Sequence, residues 1–268
     1  MIPVIIILFL SLLCYLFSTK GRTGHPGLDK LHRFRYAHRG LHGNGAPENS
    51  MKAFRLALER GYGIELDVHL LSDGNLAVIH DSSLQRTAGK NLCIEDLTTE
   101  DLSNCYLEGT EETIPEFRQV LELFRGGTPL IVELKTADNA EVLTEAACKM
   151  LDQYNVDYCI ESFDPRCIYW LRKHRPEIVR GQLAENYFRT PGCKLPFAAK
   201  LVMAWQMTNF LTKPDFIAYR YSDRNHFSCK VCRKLWKVQG VSWTLRSMED
   251  FDTAVAEGWI PIFEGFIP

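Results

Sequence analysis

Two carboxylates, Glu65 and Asp67, stand two residues apart in an otherwise apolar stretch of the chain. On a β-strand, side chains two residues apart leave the same face, so this pair would lie side by side. Neighbouring carboxylates repel each other and are costly to bury, and a bound cation is the simplest reason to place them together. A solvated strand face is the alternative interpretation, and the flanking Ile64, Leu66 and Val68 disfavour it.

Glu133 and Lys135 repeat this spacing on a second apolar segment, residues 130–134. Together with Glu65 and Asp67, Glu133 would complete a set of three carboxylates from two strands. A donor set made only of oxygen favours a hard cation, Mg2+ or Ca2+, over zinc. An ion pair between Glu133 and Lys135 inside the fold is the alternative.

Two histidines, His38 and His80, each end a candidate strand and each precede a charged residue, Arg39 and Asp81. A single histidine at a strand end is usually a packed or exposed residue. Two beside a cation site can act as general acid and general base. Arg39 and Lys135 would then supply positive charge for phosphate oxygens. A hard metal, two histidines and two cationic side chains suit phosphodiester cleavage.

The elements that would position these residues alternate between strand and helix patterns. The strand segments are residues 34–38, 64–68, 130–135, 159–163, 178–183, 216–219, 239–245 and 259–263. This alternation predicts an α/β fold with a parallel sheet, either open and doubly wound or closed as a (β/α)8 barrel. We favour the barrel because polar residues end several different strands and no GxGxxG follows the first strand.

Short motifs follow one another through most of the chain. In order, they are HRG at 38–40, PENS at 47–50, AF at 53–54, ELDV at 65–68, DG at 73–74, HD at 80–81, IVELK at 131–135, SFDP at 162–165 and VSWT at 241–244. Their order and spacing resemble the glycerophosphodiester phosphodiesterase family over roughly residues 34–265. The resemblance implies a TIM barrel with residues 82–128 as a small insertion after the second strand.

The same resemblance assigns expected roles to single residues. It implies one divalent cation, Mg2+ or Ca2+, held by Glu65, Asp67 and Glu133. It implies His38 and His80 as the acid/base pair, with His38 as base and His80 as acid the favoured assignment. The implied substrate contacts are Arg39 and Lys135 on the phosphate and Trp243 in the wall of the substrate cleft.

Two further features of the family pattern bear on the site. Glu48 and Asn49 match the PEN motif and would support the cation ligands from outside. The end of the last strand, residues 261–266, departs from the Asp-x-Pro that the family often carries there. This departure predicts a different cleft wall at the eighth barrel strand.

The implied activity is metal-dependent hydrolysis of glycerophosphodiesters to glycerol 3-phosphate and an alcohol, a phosphoric diester hydrolase reaction of lipid metabolism. The alternatives are a lysophospholipase D-like or cyclising phosphodiesterase acting on membrane lipids, and an inactive, membrane-tethered binding barrel. The substrate would be a small-molecule or lipid-derived phosphodiester. A formal net charge of -2 over 268 residues gives no basic surplus for nucleic acid. The head group, the choice of ion and the oligomeric state stay open.

The N-terminus differs from the rest of the chain because residues 1–19 carry no charged side chain. We interpret this segment as a transmembrane anchor, with a cleaved signal peptide as the alternative. Basic residues follow the segment, which predicts a single-pass protein of the cell membrane with its catalytic domain in the cytoplasm. Residues 20–33 would be a connector, and residues 34–268 the barrel domain.

Overall fold

The computed structural model describes residues 2–268 and contains a closed barrel of eight parallel strands. The strands are β1 (Tyr36–His38), β2 (Gly63–Leu70), β3 (Leu76–Val78), β4 (Leu130–Leu134), β5 (Tyr158–Ser162), β6 (Arg180–Ala184), β7 (Phe216–Arg220), β8 (Gln239–Leu245) and β9 (Trp259–Phe263). Strand β1 pairs in parallel with both β2 and β9, which closes the barrel. Strand β3 pairs antiparallel with the end of β2 and lies outside the barrel. The predicted (β/α)8 barrel is confirmed.

Helices of very different length connect the strands. They are α1 (Ile2–Ser18), α2 (Leu28–Leu31), α3 (Met51–Glu59), α4 (Gln85–Ala88), α5 (Thr99–Leu102), α6 (Phe117–Leu123), α7 (Ala140–Leu151), α8 (Pro165–His174), α9 (Phe197–Ala204), α10 (Asn209–Thr212), α11 (Phe227–Lys230) and α12 (Met248–Ala256). Side-chain caps fix the starts of α3 and α12: Ser50 and Ser247 each accept a hydrogen bond from a backbone N–H three residues later. A π-helical turn, Val231–Leu235, continues α11, where the sequence pattern indicates one uninterrupted helix.

The barrel strands are buried on both faces, which explains why they read as nearly continuous apolar runs. The main hydrophobic core lies between the strands and the outer helices. Its fully buried members include Phe54 of α3, Phe117 of α6 and Leu66 of β2.

A second cluster fills the barrel interior. Tyr36 and Phe216, the first residues of their strands, lie at the end opposite the candidate site. Phe163 and Trp243 pack against the cluster from the other side.

Residues 20–33, predicted as a connector, are packed against that opposite end of the barrel. Leu28 and Leu31 of α2 are buried in the cluster around Tyr36. Arg22 forms a two-pronged ion pair with the buried Asp215, with contacts of 2.5 and 2.6 Å. Because these contacts bury apolar area and a paired charge, this segment is part of the folded unit.

A small third cluster of apolar side chains covers the segment after β2. It consists of Leu71, Ala77, Ile79, Leu84, Ile94, Leu97, Leu102, Cys105, Leu107 and Ile114. Helix α6, which lies within the predicted insertion 82–128, instead packs Phe117 and Val120 into the main core. The segment therefore has its own small core, while α6 serves as a barrel helix.

The predicted transmembrane anchor requires a correction. Among residues 2–268, no helix has both the length and the apolar character needed to span a membrane; Met1 of the predicted segment 1–19 lies outside the described residues. Helix α1 has 17 residues, which rise about 26 Å against a hydrocarbon thickness of about 30 Å. The prediction of a single-pass cell-membrane protein, tethered through this helix with its domain on the cytoplasmic side, is wrong.

Candidate active site

The strand register brings the predicted cation ligands together inside the barrel. In β2 and β4, Asp67 is paired with Glu133, and in β1 and β2, His38 is paired with Glu65. Neighbouring parallel strands in register direct such side chains to the same face. Carboxylate oxygens of Glu65, Asp67 and Glu133 lie within 4.8 Å of one another, and all three residues are buried. We call these three residues the acidic triad.

Positive charge and an amide surround Asp67. Lys135 Nζ lies 3.0 Å from Asp67 Oδ1 and 2.6 Å from Glu133 Oε1. The Asn49 amide donates a 2.8 Å hydrogen bond to Asp67 Oδ2, and the Arg39 guanidinium approaches the same oxygen to 3.4 Å. Burial raises the pKa of Asp67, but these neighbours outweigh it and hold the pKa well below its usual value. Asp67 is therefore an anion at neutral pH.

The anionic forms of Glu65 and Glu133, the other two members of the triad, are less stable than that of Asp67. Burial and repulsion from Asp67 raise the pKa of Glu65 well above its usual value. Burial is also the main reason that the pKa of Glu133 rises to about 7, against the opposing charge of Lys135. Asp67 Oδ1 and Glu133 Oε1 are buried, and they share the single ammonium group of Lys135. Buried, incompletely satisfied carboxylate oxygens with excess negative charge fit a hard divalent cation.

A fourth acid, Glu161 of β5, lies in register with Glu133 and extends the acidic surface inside the barrel. Its side chain is buried, and Oε2 has no hydrogen-bond partner within residues 2–268. Burial, followed by repulsion from Glu133, raises its pKa well above the usual value. Sequence reasoning missed this residue, although its position in an apolar strand follows the same pattern as Glu133.

His38 is held by a residue from the far end of the chain. Its Nδ1 lies 2.6 Å from Glu264 Oε2, directly after β9, and its Nε2 lies 3.8 Å from Glu65 Oε2. Burial lowers the pKa of His38, while the hydrogen bond to Glu264 opposes this shift. Arg246 holds the other side of the Glu264 carboxylate at 3.1 Å. In the sequence, Glu264 stands out only as part of the departure from the family pattern at residues 261–266. The signal that could have identified it is an acid immediately after the last strand.

His80 follows β3 and belongs to a second network. Its Nδ1 lies 2.5 Å from Asp81, which accepts a hydrogen bond from Arg86. Arg86 also donates two hydrogen bonds to Glu48 of the PENS motif. Burial lowers the pKa of His80 to about 4, and the nearby Lys135 adds to this shift. The imidazole is therefore neutral at pH 7 in the free protein.

One residue in the HRG motif and one in the PENS motif have a left-handed backbone conformation that directs their side chains into the site. Arg39 and Asn49 both adopt a left-handed conformation, each with φ of 54°, in the HRG and PENS motifs. The turn directs the Arg39 amide N–H toward Glu65 Oε2 at 3.2 Å and its guanidinium toward Glu48 at 2.9 Å. Gly40 follows with φ of 80°, and a Cβ there would lie 2.8 Å from the ring of Phe54.

Trp243 and His38 line the same open cleft, which has a volume of about 350 Å3. The Trp243 ring packs edge-on against Phe163 at 5.7 Å between centroids. Arg39, Arg220 and Arg246 line the same cleft. The strand ends thus bring the predicted residues to one end of the barrel, beside a cleft rich in arginine.

Residues 38–216 match the sequence profile of the Glycerophosphoryl diester phosphodiesterase family. The chain belongs to this family. A Glycerophosphodiester phosphodiesterase from Bacillus altitudinis is 45% identical over 111 residues, covering 38% of this chain and 45% of that protein. The human Lysophospholipase D GDPD1 is 32% identical over 135 residues, covering 46% of this chain and 42% of that protein. The chain spans about half the length of these curated relatives.

Solved structures of the family share the fold. An Oleispira antarctica phosphodiesterase in complex with the product sn-glycerol-3-phosphate superposes with a TM-score of 0.70 and 23% identity. The alignment covers 86% of this chain and 92% of that one. The family barrel predicted from the motifs is therefore confirmed.

Proposed function

We propose that this chain hydrolyses glycerophosphodiesters to glycerol 3-phosphate and an alcohol, as a phosphoric diester hydrolase. The observation that carries this proposal is the acidic triad, with His38, His80 and two cationic side chains around it, in a barrel of this family. The names of the family and of the Bacillus altitudinis relative support the substrate class. The product bound to the Oleispira antarctica protein supports glycerol 3-phosphate as the retained half.

The acidic triad would hold one divalent cation, Mg2+ or Ca2+. When bound, this cation supplies positive charge to the phosphate oxygens. Arg39 and Lys135 add fixed positive charge to the same group, Arg39 through a planar fork and Lys135 as a point charge. Trp243 would orient the substrate by covering one side of it in the cleft. We also propose that residues 34–268 form the barrel domain, with residues 20–33 as a connecting segment packed against it. Residues 82–128 would be an insertion that also supplies the barrel helix α6.

The two imidazoles would move the protons. The Nδ1–H of His38 donates a hydrogen bond to the Glu264 carboxylate, which leaves the Nε2 lone pair free to act as a general base. His80 is more exposed, at 32% of its side chain against 13% for His38. It is therefore better placed to give a proton to an alcohol that leaves toward solvent. A bound phosphodiester anion would raise the pKa of His80 and favour the protonated acid.

The test is release of glycerol 3-phosphate from a panel of glycerophosphodiesters, with and without Mg2+ or Ca2+. We expect chelation to abolish activity and either ion to restore it. His38→Ala and His80→Ala should each reduce kcat by about 100-fold or more, the usual effect of losing a general acid or base. His174→Ala, on an exposed face of α8, is the matched control. Full activity of His80→Ala, or no product from any substrate, would refute the proposal.

A second candidate, lysophospholipase D-like or cyclising cleavage of lipid phosphodiesters, is favoured by one surface. The segment between β6 and β7 exposes Phe188, Leu195 and Phe197, with the two phenylalanine rings 5.6 Å apart. The name of the human relative, Lysophospholipase D, agrees with an acyl-bearing substrate. Comparing lysophospholipids with soluble glycerophosphodiesters, and analysing products for a cyclic phosphate, separates the two candidates.

A further inference from the structure

A second group of metal-ligating side chains lies beside the acidic triad and shares none of its residues. One ring nitrogen each of His38 and His42 and one carboxylate oxygen of Glu264 lie within 4.8 Å of one another. All three residues are half-buried. His42 Nε2 is buried and has no hydrogen-bond partner among the residues that the structure describes. An imidazole nitrogen without a partner at this place is an unexplained polar group.

The donor set differs in chemistry from the acidic triad. Two imidazole nitrogens and one carboxylate oxygen are the ligands of one class of catalytic zinc site, which keeps a fourth position for water. The triad offers only oxygen and suits Mg2+ or Ca2+. Two sites with different preferences can therefore be filled by different ions at once.

The loop that carries His42 can adjust to a metal. Gly40, Gly43 and Gly45 surround His42, all with positive φ, and the His42 N–H is held by Gly40 O at 2.9 Å. Glycine permits such a loop to shift at little conformational cost. Donor atoms around tetrahedral zinc lie roughly 3.4 Å apart, as the usual bond lengths require. The three donor atoms lie at most 4.8 Å apart in the structure, so they need to move only slightly closer together to bind zinc.

We propose that His38, His42 and Glu264 form a second metal site for a borderline transition ion such as Zn2+, and that its occupation is inhibitory. The nitrogen of His38 that faces Glu264 is Nδ1. Coordination there requires the Nδ1 lone pair, so the single ring proton of the neutral imidazole moves from Nδ1 to Nε2. With a proton on Nε2, His38 no longer accepts a proton from the attacking water. This inhibitory part rests on the proposed function.

Arg246 competes with a metal for Glu264. Its contacts with both carboxylate oxygens measure 3.1 Å, but its side chain is 66% exposed. An ion pair of this kind is weak and is released readily. Removing Arg246 should therefore tighten metal binding. A substitution that only damaged the fold would weaken it.

The binding test uses the full chain with saturating Ca2+, so that the acidic triad is filled. Zn2+ is titrated calorimetrically, and Co2+ is used as a spectroscopic probe of the ligands. We expect one Zn2+ beyond the Ca2+ sites and a Co2+ spectrum without thiolate charge transfer. His42→Gln should weaken Zn2+ binding by at least about tenfold, because loss of a group that only orients a metal ligand already weakens binding by about that factor. The exposed His32→Gln should bind as the natural chain does, and Arg246→Gln should bind more tightly. Equal Zn2+ affinity in His42→Gln and the natural chain, or a thiolate spectrum, would overturn the site.

The activity test is separate. Zn2+ should inhibit the natural chain at saturating Ca2+, and additional Ca2+ should not reverse it. His42→Gln should keep its basal activity and lose the inhibition. Zn2+ binding at this site without inhibition would overturn the inhibitory role. Failure of every substrate would refute the proposed function, while the calorimetric result would still decide whether the site exists.

Discussion

Replacing Glu264 by glutamine should change how the stability of the fold depends on pH. The natural carboxylate is largely buried, with 19% of its side chain exposed, and lies between His38 and Arg246. Burial alone would raise its pKa. The hydrogen bond and charge of His38, with a smaller part from Arg246, outweigh burial and lower the pKa from 4.5 to about 2. Glutamine keeps the shape and an accepting oxygen but removes the titrating group.

Proton linkage gives the direction in which the free energy of unfolding changes with pH. A carboxylate with a lower pKa in the folded chain than in the unfolded chain stabilises the fold at pH above 4.5. That contribution is lost as the pH falls from 4.5 toward 2. For the two pKa values, the loss relative to pH 7 is about 0.8 kcal/mol at pH 4 and about 2 kcal/mol at pH 3. These are upper values, because Arg246 is exposed and solvent screens its share.

The assay is urea unfolding of the natural chain and of Glu264→Gln at pH 7, 5, 4 and 3. The free energy of unfolding of the natural chain should fall more steeply with acid, and the two curves should converge below pH 4. Glu122→Gln, which removes an exposed partner of Arg125 on α6, is the control and should run parallel to the natural chain. Parallel curves for Glu264→Gln would refute the reasoning.

Three further outcomes are expected. Removal of divalent ions with a chelator should lower Tm, and Mg2+ or Ca2+ should restore it, because the acidic triad is self-repelling; an unchanged Tm would exclude an ion there. Asn49→Ala should destabilise the fold by about 2 kcal/mol in urea unfolding, because it removes a hydrogen bond to the charged Asp67; Asn44→Ala, on an exposed loop and also at positive φ, is its control. An NMR titration of the ion-free protein should find the pKa of His80 near 4, well below the usual 6.5, since burial disfavours its charge; a value above 6 would contradict this.

Much of the barrel could be predicted because buried parallel strands have a plain signature. Segments such as 130–134 read as apolar runs, and the polar exceptions fall at their ends. The convergence of Glu65, Asp67 and Glu133 followed from strand periodicity and from the adjacency of β2 and β4. These features depend on local pattern and on one rule for parallel sheets.

The features that the sequence did not reveal depend on closure of the barrel between distant parts of the chain or on the exact length of a helix. Glu264 meets His38 across 226 residues, because β9 pairs with β1 only when the barrel closes. The anchor prediction counted apolar residues up to position 19, whereas helix α1 ends at Ser18 after 17 residues. Helix α6 looked like part of an insertion, because the burial of its Phe117 and Val120 in the main core depends on residues that are distant in the sequence.

The left-handed conformations of Arg39 and Asn49 have a consequence for attempts to stabilise this barrel by mutation. A non-glycine residue held in that region costs on the order of 1 kcal/mol or more. Glycine at either position would relax the backbone, and would also remove the side chain that contacts Asp67. At Asn49 the lost hydrogen bond to Asp67, worth about 2 kcal/mol, exceeds the relieved strain, so a screen for heat resistance alone would still keep this asparagine. Heat resistance and turnover therefore select the same residue at this position.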